Sequence, residues 1–232
     1  MVQHHWQDDA QDKPYQVPDD VQDLVFRISA RSIPLDHAHA LSGAILKQLP
    51  WMDDEPEAGI HLIHGAESGN GWQRPQDPDT EVLHLSRRAR MSLRLPKHRI
   101  EQARTLTGQI LDIDGHPIAV GDARSRPLVA LTTIFSRHVM TATGNDEEQF
   151  VEAVVSELCQ RGITVRKLLC GREHFFRLPA VKLSVRSIML ADLDIEHSVR
   201  LQQRGLGAGR TLGCGLFLPH KGVASVSAEN RR

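Results

Sequence analysis

Twice along the 232 residues the hydrophobic pattern changes period in one order: strand, helix, strand, strand, helix, strand. In the first copy, residues 23–29 (DLVFRIS) alternate, with Leu24, Phe26 and Ile28 on one face. That period of two predicts a strand. Residues 34–50 (PLDHAHALSGAILKQLP) carry Leu35, Ala38, Leu41, Ile45 and Leu49 at helical spacing, with Pro50 as the stop. AGIHLIHG (58–65) reads as a short strand, residues 66–80 as a Gly/Pro/Asp-rich loop, and 82–95 as one long strand. KHRIEQARTLTG (97–108) is a helix pattern and GHPIAVG (115–121) a closing strand.

The second copy repeats the order. LVALTTIFSRHVM (128–140) is strand-like, and NDEEQFVEAVVSELCQRG (145–162) is the clearest helix. Its signals are Asn145 as N-cap, Glu148 three residues on, an apolar stripe of Phe150, Val151, Val154 and Leu158, and Gly162 as terminator. Strands at about 163–170 and 181–190, a helix in DIEHSVRLQQRG (194–205) and a strand in CGLFLPHK (214–221) complete it. The expected fold class is α+β, two tandem ferredoxin-like (RRM-like) βαββαβ domains. The division predicted is an acidic leader over 1–20, domains over 21–124 and 125–222, and a tail over 223–232.

Composition narrows the setting. Cys159, Cys170 and Cys214 form neither an even disulfide set nor a CxxC pair, which suits a reducing cytoplasm. The first residues lack a basic end followed by an apolar run, and no stretch of about 18 apolar residues occurs, so neither signal peptide nor membrane span is expected. The net charge of −1 hides a segregation: residues 87–104 hold seven Lys/Arg against one glutamate, whereas 1–23 hold six aspartates against one lysine. A local basic surface is what phosphate binding needs, so a near-neutral total excludes little.

GLGAGRTLGCG (205–215) places glycine at 205, 207, 209, 213 and 215 around Arg210. Position decides its meaning. A dinucleotide loop follows a strand and opens a helix, and a P-loop needs GK[ST]; here a helix ends at Gly205, a strand begins near Gly215, and Arg210 follows Gly209. Both mononucleotide readings are poor. What remains is a glycine C-cap with a tight turn, or a loop whose N–H groups form an anion-binding nest beside Arg210.

Along 82–95 the odd positions are mostly apolar, while the even ones read His84, Ser86, Arg88, Arg90, Ser92, Arg94. On one uninterrupted strand this makes a ladder of polar and cationic groups, either a solvated face or a track for a nucleic-acid backbone. The aromatic pattern of RRM proteins is absent, so shape and phosphate recognition are expected to outweigh base stacking. Of the histidines, His37 follows Asp36, a plausible N-cap, and the helix dipole there disfavours an imidazolium, leaving a neutral ring able to accept a proton. His37 and His39 lie about 160° apart on a helical wheel, and His61 and His64 on opposite faces of a strand, so neither pair reads as a chelate. No metal site and no cofactor is expected.

These residues resemble a known family. GLGAGRTLGCG fits the G-h-G-xxxxx-G-h-G loop near the C-terminus of the CRISPR-associated repeat endoribonucleases of the RAMP superfamily. PLDHAHAL, LPW, GIHLIHG, LSRRARMSLRLP and SVRLQQRGLGAGRTLGCGLFLPHK are similar to the branch accompanying the Myxan-type system, over about Val21 to Lys221. The resemblance implies tandem ferredoxin-like domains and metal-independent cleavage of precursor CRISPR RNA within its repeat, leaving 2′,3′-cyclic phosphate and 5′-hydroxyl ends. It implies His37 as general acid/base and places His39 where the branch often has a tyrosine, with Lys47 as a charge stabiliser. RNA contacts are expected from Arg88, Arg90, Arg94, Lys221, Arg210 and Gly205, Gly207, Gly209, Gly213 and Gly215. The partners implied are the crRNA and other effector-complex subunits. The alternatives are a non-catalytic RNA-binding subunit of the same fold and, more distantly, a histidine-dependent metalloenzyme.

Overall fold

The structure is a computed structural model that describes residues 15–64, 82–141 and 146–220. Lys221 and Asn145, both singled out above, lie outside the described residues. The first unit runs β1 (Val21–Ser29), β2 (Ser32–Pro34), α1 (Ala38–Gln48), β3 (Gly59–His61), β4 (Val82–His84), β5 (Arg90–Pro96), α2 (Ile100–Ala103), β6 (Ile110–Ile113) and β7 (His116–Pro127). Its main sheet has the order β3-β5-β1-β7-β6, all antiparallel. With β6 removed as an added hairpin arm, the remaining four strands keep the ferredoxin-like order. The second unit runs β8 (Ile134–Val139), α3 (Glu147–Gln160), β9 (Lys167–Arg177), β10 (Lys182–Ala191), α4 (Ile195–Arg204) and β11 (Leu218–Pro219), with sheet order β11-β8-β10-β9. Both predicted βαββαβ copies are present.

Each helix packs the stripe its sequence announces. In α1 the buried residues are Ala38, Leu41, Ser42 and Ile45; in α3 they are Phe150, Val154 and Leu158. Leu41 and Ile45 meet Leu24, Phe26 and Ile28 in one core, and the α3 residues meet Ile134, Ile188 and Leu190 in the other. The residue bounding α3 is Asp146, in extended conformation, and the one bounding α1 is His37. Asp36 is therefore not the N-cap of α1. Its Oδ2 instead accepts the Arg177 backbone N–H at 2.8 Å, joining the two units.

The expected single strand over 82–95 is interrupted. β4 leaves the main sheet to pair with β2, and a turn over Ser86–Ala89 (Ala89 N–H to Ser86 O, 2.9 Å) separates it from β5. The in/out parity survives, since Ala89, Met91, Leu93 and Leu95 are all buried, but the ladder does not. Arg88 sits in the turn, Arg90 opens β5, and Arg94 is fully buried, so Arg94 is corrected from an RNA contact to an internal one. Its Nε donates to Asp23 Oδ1 at 2.9 Å and its Nη1 to the carbonyls of Gln202 and Phe217 at 2.8 and 2.7 Å. Asp23 of β1 lies directly across from Arg94 of β5 and from Arg126 of β7. The Arg94 charge and the His61 contact hold its carboxyl well below the usual range against the opposing effect of burial.

The glycine loop is the second joint. Arg210 donates to the carbonyls of Ala58, Glu57 and Gln203 at 3.0, 2.9 and 3.0 Å. Burial, with the Arg94 charge adding to it, pushes its pKa down to about 10, which still leaves it a cation at neutral pH. At Gly213 (φ 84°) a Cβ would lie 2.7 Å from Leu62 Cγ, and at Gly215 (φ 66°) one would lie 2.1 Å from Leu206 O. These two positions combine a left-handed backbone with contacts only hydrogen can make. The loop is pressed between the units.

Three stability outcomes follow from these joints. Arg94→Ala should cost about 3 kcal/mol, because removing one partner leaves the other buried with reduced compensation; urea unfolding measures it. Gly215→Ala should cost about 2 kcal/mol or more by the same assay, combining αL strain with a backbone clash. For pH, His37 and His61 titrate below the ordinary histidine value mainly through burial, and Asp23 below the ordinary aspartate value. In each case the unfolded chain binds protons more readily. Tm should therefore hold above about pH 6.5, fall below it as unfolded histidines protonate, and fall again below about pH 4 as Asp23 loses its charge.

Candidate nucleic-acid interface and active site

His37 is 4% exposed. Its Nδ1 lies 3.0 Å from Pro34 O and 3.2 Å from Leu35 O, and its Nε2 accepts the Ile63 N–H at 3.1 Å. Carbonyls can only accept and an amide can only donate, so the ring is the neutral Nδ1–H tautomer. Burial, rather than the helix dipole, is the main cause of its lowered pKa. In this arrangement the Nε2 lone pair, which a general base would offer, is engaged by the Ile63 N–H. The ring pins the start of α1 to the end of β3.

His39, two residues on, is exposed on the first turn of α1. That turn borders the joint between the units, since Ala38 packs with Phe176, Val185 and Cys214. Lys47 is also exposed, in the last turn of the helix. At about 1.5 Å rise per residue the eight-residue separation from His39 is about 12 Å along the helix.

Beside this turn a small cleft is lined by His61, Leu62, His64, Arg137, His138, Gly213, Leu216 and Leu218. The sequence reading put His61 and His64 on opposite strand faces, but β3 ends at His61, alternation lapses, and both line this cleft. His138, from β8 of the second unit, packs at a tilt against Phe176 with ring centroids 4.8 Å apart. His61 Nε2 lies 3.3 Å from Asp23 Oδ1, which ties the cleft to the buried ion pair. Among the described residues no three His, Cys, Asp or Glu side chains group as metal ligands.

The loop glycines do not form an open nest. The N–H groups of Gly205, Gly213 and Gly215 go to the carbonyls of Leu201, Arg210 and His138. Gly207 N–H goes to Glu157 Oε1 at 3.1 Å. A Cβ at Gly209 would lie 3.1 Å from Met140 Cε. An anion does sit against this loop, and it is the chain's own Glu157, itself paired with Arg161. Gly205, Gly213, Gly215 and Arg210 thus take part in packing the joint, and Gly207, Gly209, Gly213 and Arg210 remain half-buried.

Cationic groups gather elsewhere, across strands rather than along one. The face of the first sheet opposite its core carries Arg90 of β5 directly across from Arg27 of β1, Arg124 of β7 across from Val25, and Arg126 across from Asp23. Arg27, Arg90, Arg124 and Arg126 are exposed. Arg27 on β1 and Arg124 and Arg126 on β7 escaped the sequence reading because neither strand carries a basic run. Only register brings them together.

Among the described residues no helix is long and apolar enough to cross a membrane. The family model described as Cas6 Crispr matches residues 22–222. The chain is 30% identical to the CRISPR-associated endonuclease Cas6 of Myxococcus xanthus over 209 residues, covering 90% of this chain and 86% of that one. Among solved structures, a CRISPR associated protein Cas6 aligns at a TM-score of 0.60 and 12% identity, covering 87% of this chain and all of that one. A Cas6-related protein from Pyrococcus furiosus aligns at 0.55 and 12%, covering 85% and 97%. With a family match across both ferredoxin-like units and the glycine joint between them, the chain belongs to the Cas6 family.

Proposed function

We propose that this protein is a metal-independent endoribonuclease that cuts precursor CRISPR RNA within the repeat, and that it can keep the product as a subunit of an effector complex. Membership of a family whose M. xanthus relative is named an endonuclease supports the activity. The observation that carries the site is the contrast on α1: His37 locked and buried, His39 exposed in the first turn of the helix. In this reading His39 takes the proton of a ribose 2′-hydroxyl, and O2′ attacks the adjacent phosphorus. The P–O5′ bond breaks, leaving a 2′,3′-cyclic phosphate upstream. O5′ takes a proton and departs as a hydroxyl downstream. His64 and His138, lining the cleft, are groups of the kind that can deliver that proton. His37 is a positioning residue. Lys47, Arg88, Arg90, Arg124 and Arg126 hold backbone phosphates away from the reacting one.

The locked His37 ring also gives weight to the second reading, an RNA-binding subunit that does not cut. Incubation with the repeat RNA in excess EDTA separates the two. Cleavage with cyclic-phosphate and 5′-hydroxyl ends is the expected result, and tight binding without cleavage establishes the subunit reading. His39→Ala should slow single-turnover cleavage at least about 100-fold, the usual scale for losing a general base, with Kd within threefold. His37→Ala should lower Tm as well as rate. A His39→Ala protein cutting at the wild-type rate removes His39 from the mechanism.

A further inference from the structure

His61 stands between the buried ion pair and the cleft, and its two ring nitrogens have unlike surroundings. It closes β3, an edge strand of the first sheet, directly across from Ser92 of β5. Its side chain is 13% exposed and that of Asp23 is 4% exposed. His61 Nε2 lies 3.3 Å from Asp23 Oδ1. Arg94 Nε donates to the same oxygen at 2.9 Å, and Arg94 Nη2 and Arg126 Nη2 donate to the other at 3.3 and 3.0 Å. With its pKa held well below the usual range, this carboxylate is ionised at neutral pH and can only accept. His61 Nε2 therefore carries a hydrogen.

Nδ1 is placed differently. Among the described residues nothing hydrogen-bonds to it, and it is not one of the side-chain atoms sealed away without a partner. It opens onto the cleft that His61 lines. His37 is the contrast, with both ring nitrogens engaged inside the chain. A carboxylate behind an imidazole fixes its tautomer and its orientation, and it stabilises the imidazolium once that forms. Burial, with the Arg94 and Arg126 charges adding to it, outweighs that help, so in the free protein the ring titrates below the ordinary histidine value. A phosphate entering the cleft acts the other way, because its negative charge favours a proton on Nδ1. A ring that gains its proton beside the substrate and faces it with that nitrogen has the properties of a proton donor.

We propose that His61 is a catalytic residue of the cleavage step, delivering a proton from Nδ1 to O5′, with Asp23 as the carboxylate that orients it. The inference rests on the nuclease reading and assigns one of its two proton transfers. Nδ1 takes a proton from solvent as the RNA binds. As the P–O5′ bond breaks, that proton passes to O5′, which departs as a hydroxyl. His61 returns to the neutral form with its hydrogen on Nε2. The 2′-hydroxyl proton goes separately to His39, so the two transfers balance.

The test compares the ordinary repeat RNA with one carrying sulfur in place of O5′ at the cut, a position mapped first with the ordinary repeat. A thiol is far more acidic than an alcohol, so the sulfur leaves as a thiolate and needs no donor. His61→Gln can still offer an N–H to Asp23 but has no proton to give. It should cut the ordinary repeat at least about 100-fold more slowly than wild type, yet cut the sulfur-bridged repeat within about threefold of the wild-type rate. His39→Ala should be slow on both RNAs. Tm is measured alongside, and His61→Asn replaces His61→Gln in the comparison if the glutamine variant melts early. If the folded variant slows both RNAs alike, or cuts the ordinary repeat at the wild-type rate, His61 delivers no proton to O5′ and the nuclease reading stands. If wild type cuts neither RNA, both proposals fall together.

Discussion

The contact on which the rest depends is the guanidinium of Arg94 held between Asp23 and two carbonyls of the second unit. A fully buried arginine is costly to desolvate and survives only where most of its donors are met. Here two faces of the fork go to one carboxylate and Nη1 goes to Gln202 and Phe217, the first near the end of α4 and the second just before β11. The span between those two residues is the glycine loop. One charged group therefore sets the height of that loop above the first sheet, and Arg210 pulls the same loop onto Glu57 and Ala58 just ahead of β3. An apolar residue at 94 could fill the space, yet it could not fix this register, because burial alone has no direction.

Much of this is hidden from the sequence for one reason. Alternation places Arg94 with Arg90 on the face opposite Leu93 and Leu95, and that assignment is correct. Alternation cannot say what covers a face. Arg90 stays exposed, whereas near Arg94 the end of α4 and residue 217 close over it. Asp23, counted among the acids at the start of the chain, is the residue that makes the buried cation tolerable. The order of elements was legible because each helix stripe and strand alternation is local. The break at Ser86–Ala89, the two-residue length of β11 and the cross-strand gathering of Arg27, Arg90 and Arg124 were not, because they depend on pairing between distant segments.

The glycine loop shows the same division. Its place after a helix was readable and correctly set aside both nucleotide-binding motifs. Its use was not. Glycines that let a backbone approach a ligand equally let it approach another part of the chain, and here Gly213 meets Leu62 while Gly215 meets Leu206. The anion-binding capacity expected of such a loop is real, and Glu157 from α3 satisfies it. A phosphate at Gly207 would have to displace a carboxylate already tethered to Arg161.

His37 and His39 bring these points to the chemistry. A general base must offer a lone pair to the proton it takes, and in His37 both ring nitrogens are engaged within the chain. His37 spends Nδ1 on Pro34 and Leu35 and Nε2 on Ile63, so it fixes where α1 begins relative to the end of β3. Ile63 is followed by His64, and α1 continues to His39, so the same three hydrogen bonds set the spacing between an exposed histidine on the helix and the histidines of the cleft. Substitution of His37 should then slow cleavage whether or not it ever touches a proton of the RNA. Loss of activity at that position cannot by itself assign the base; the melting temperature and the behaviour of the neighbouring residue can.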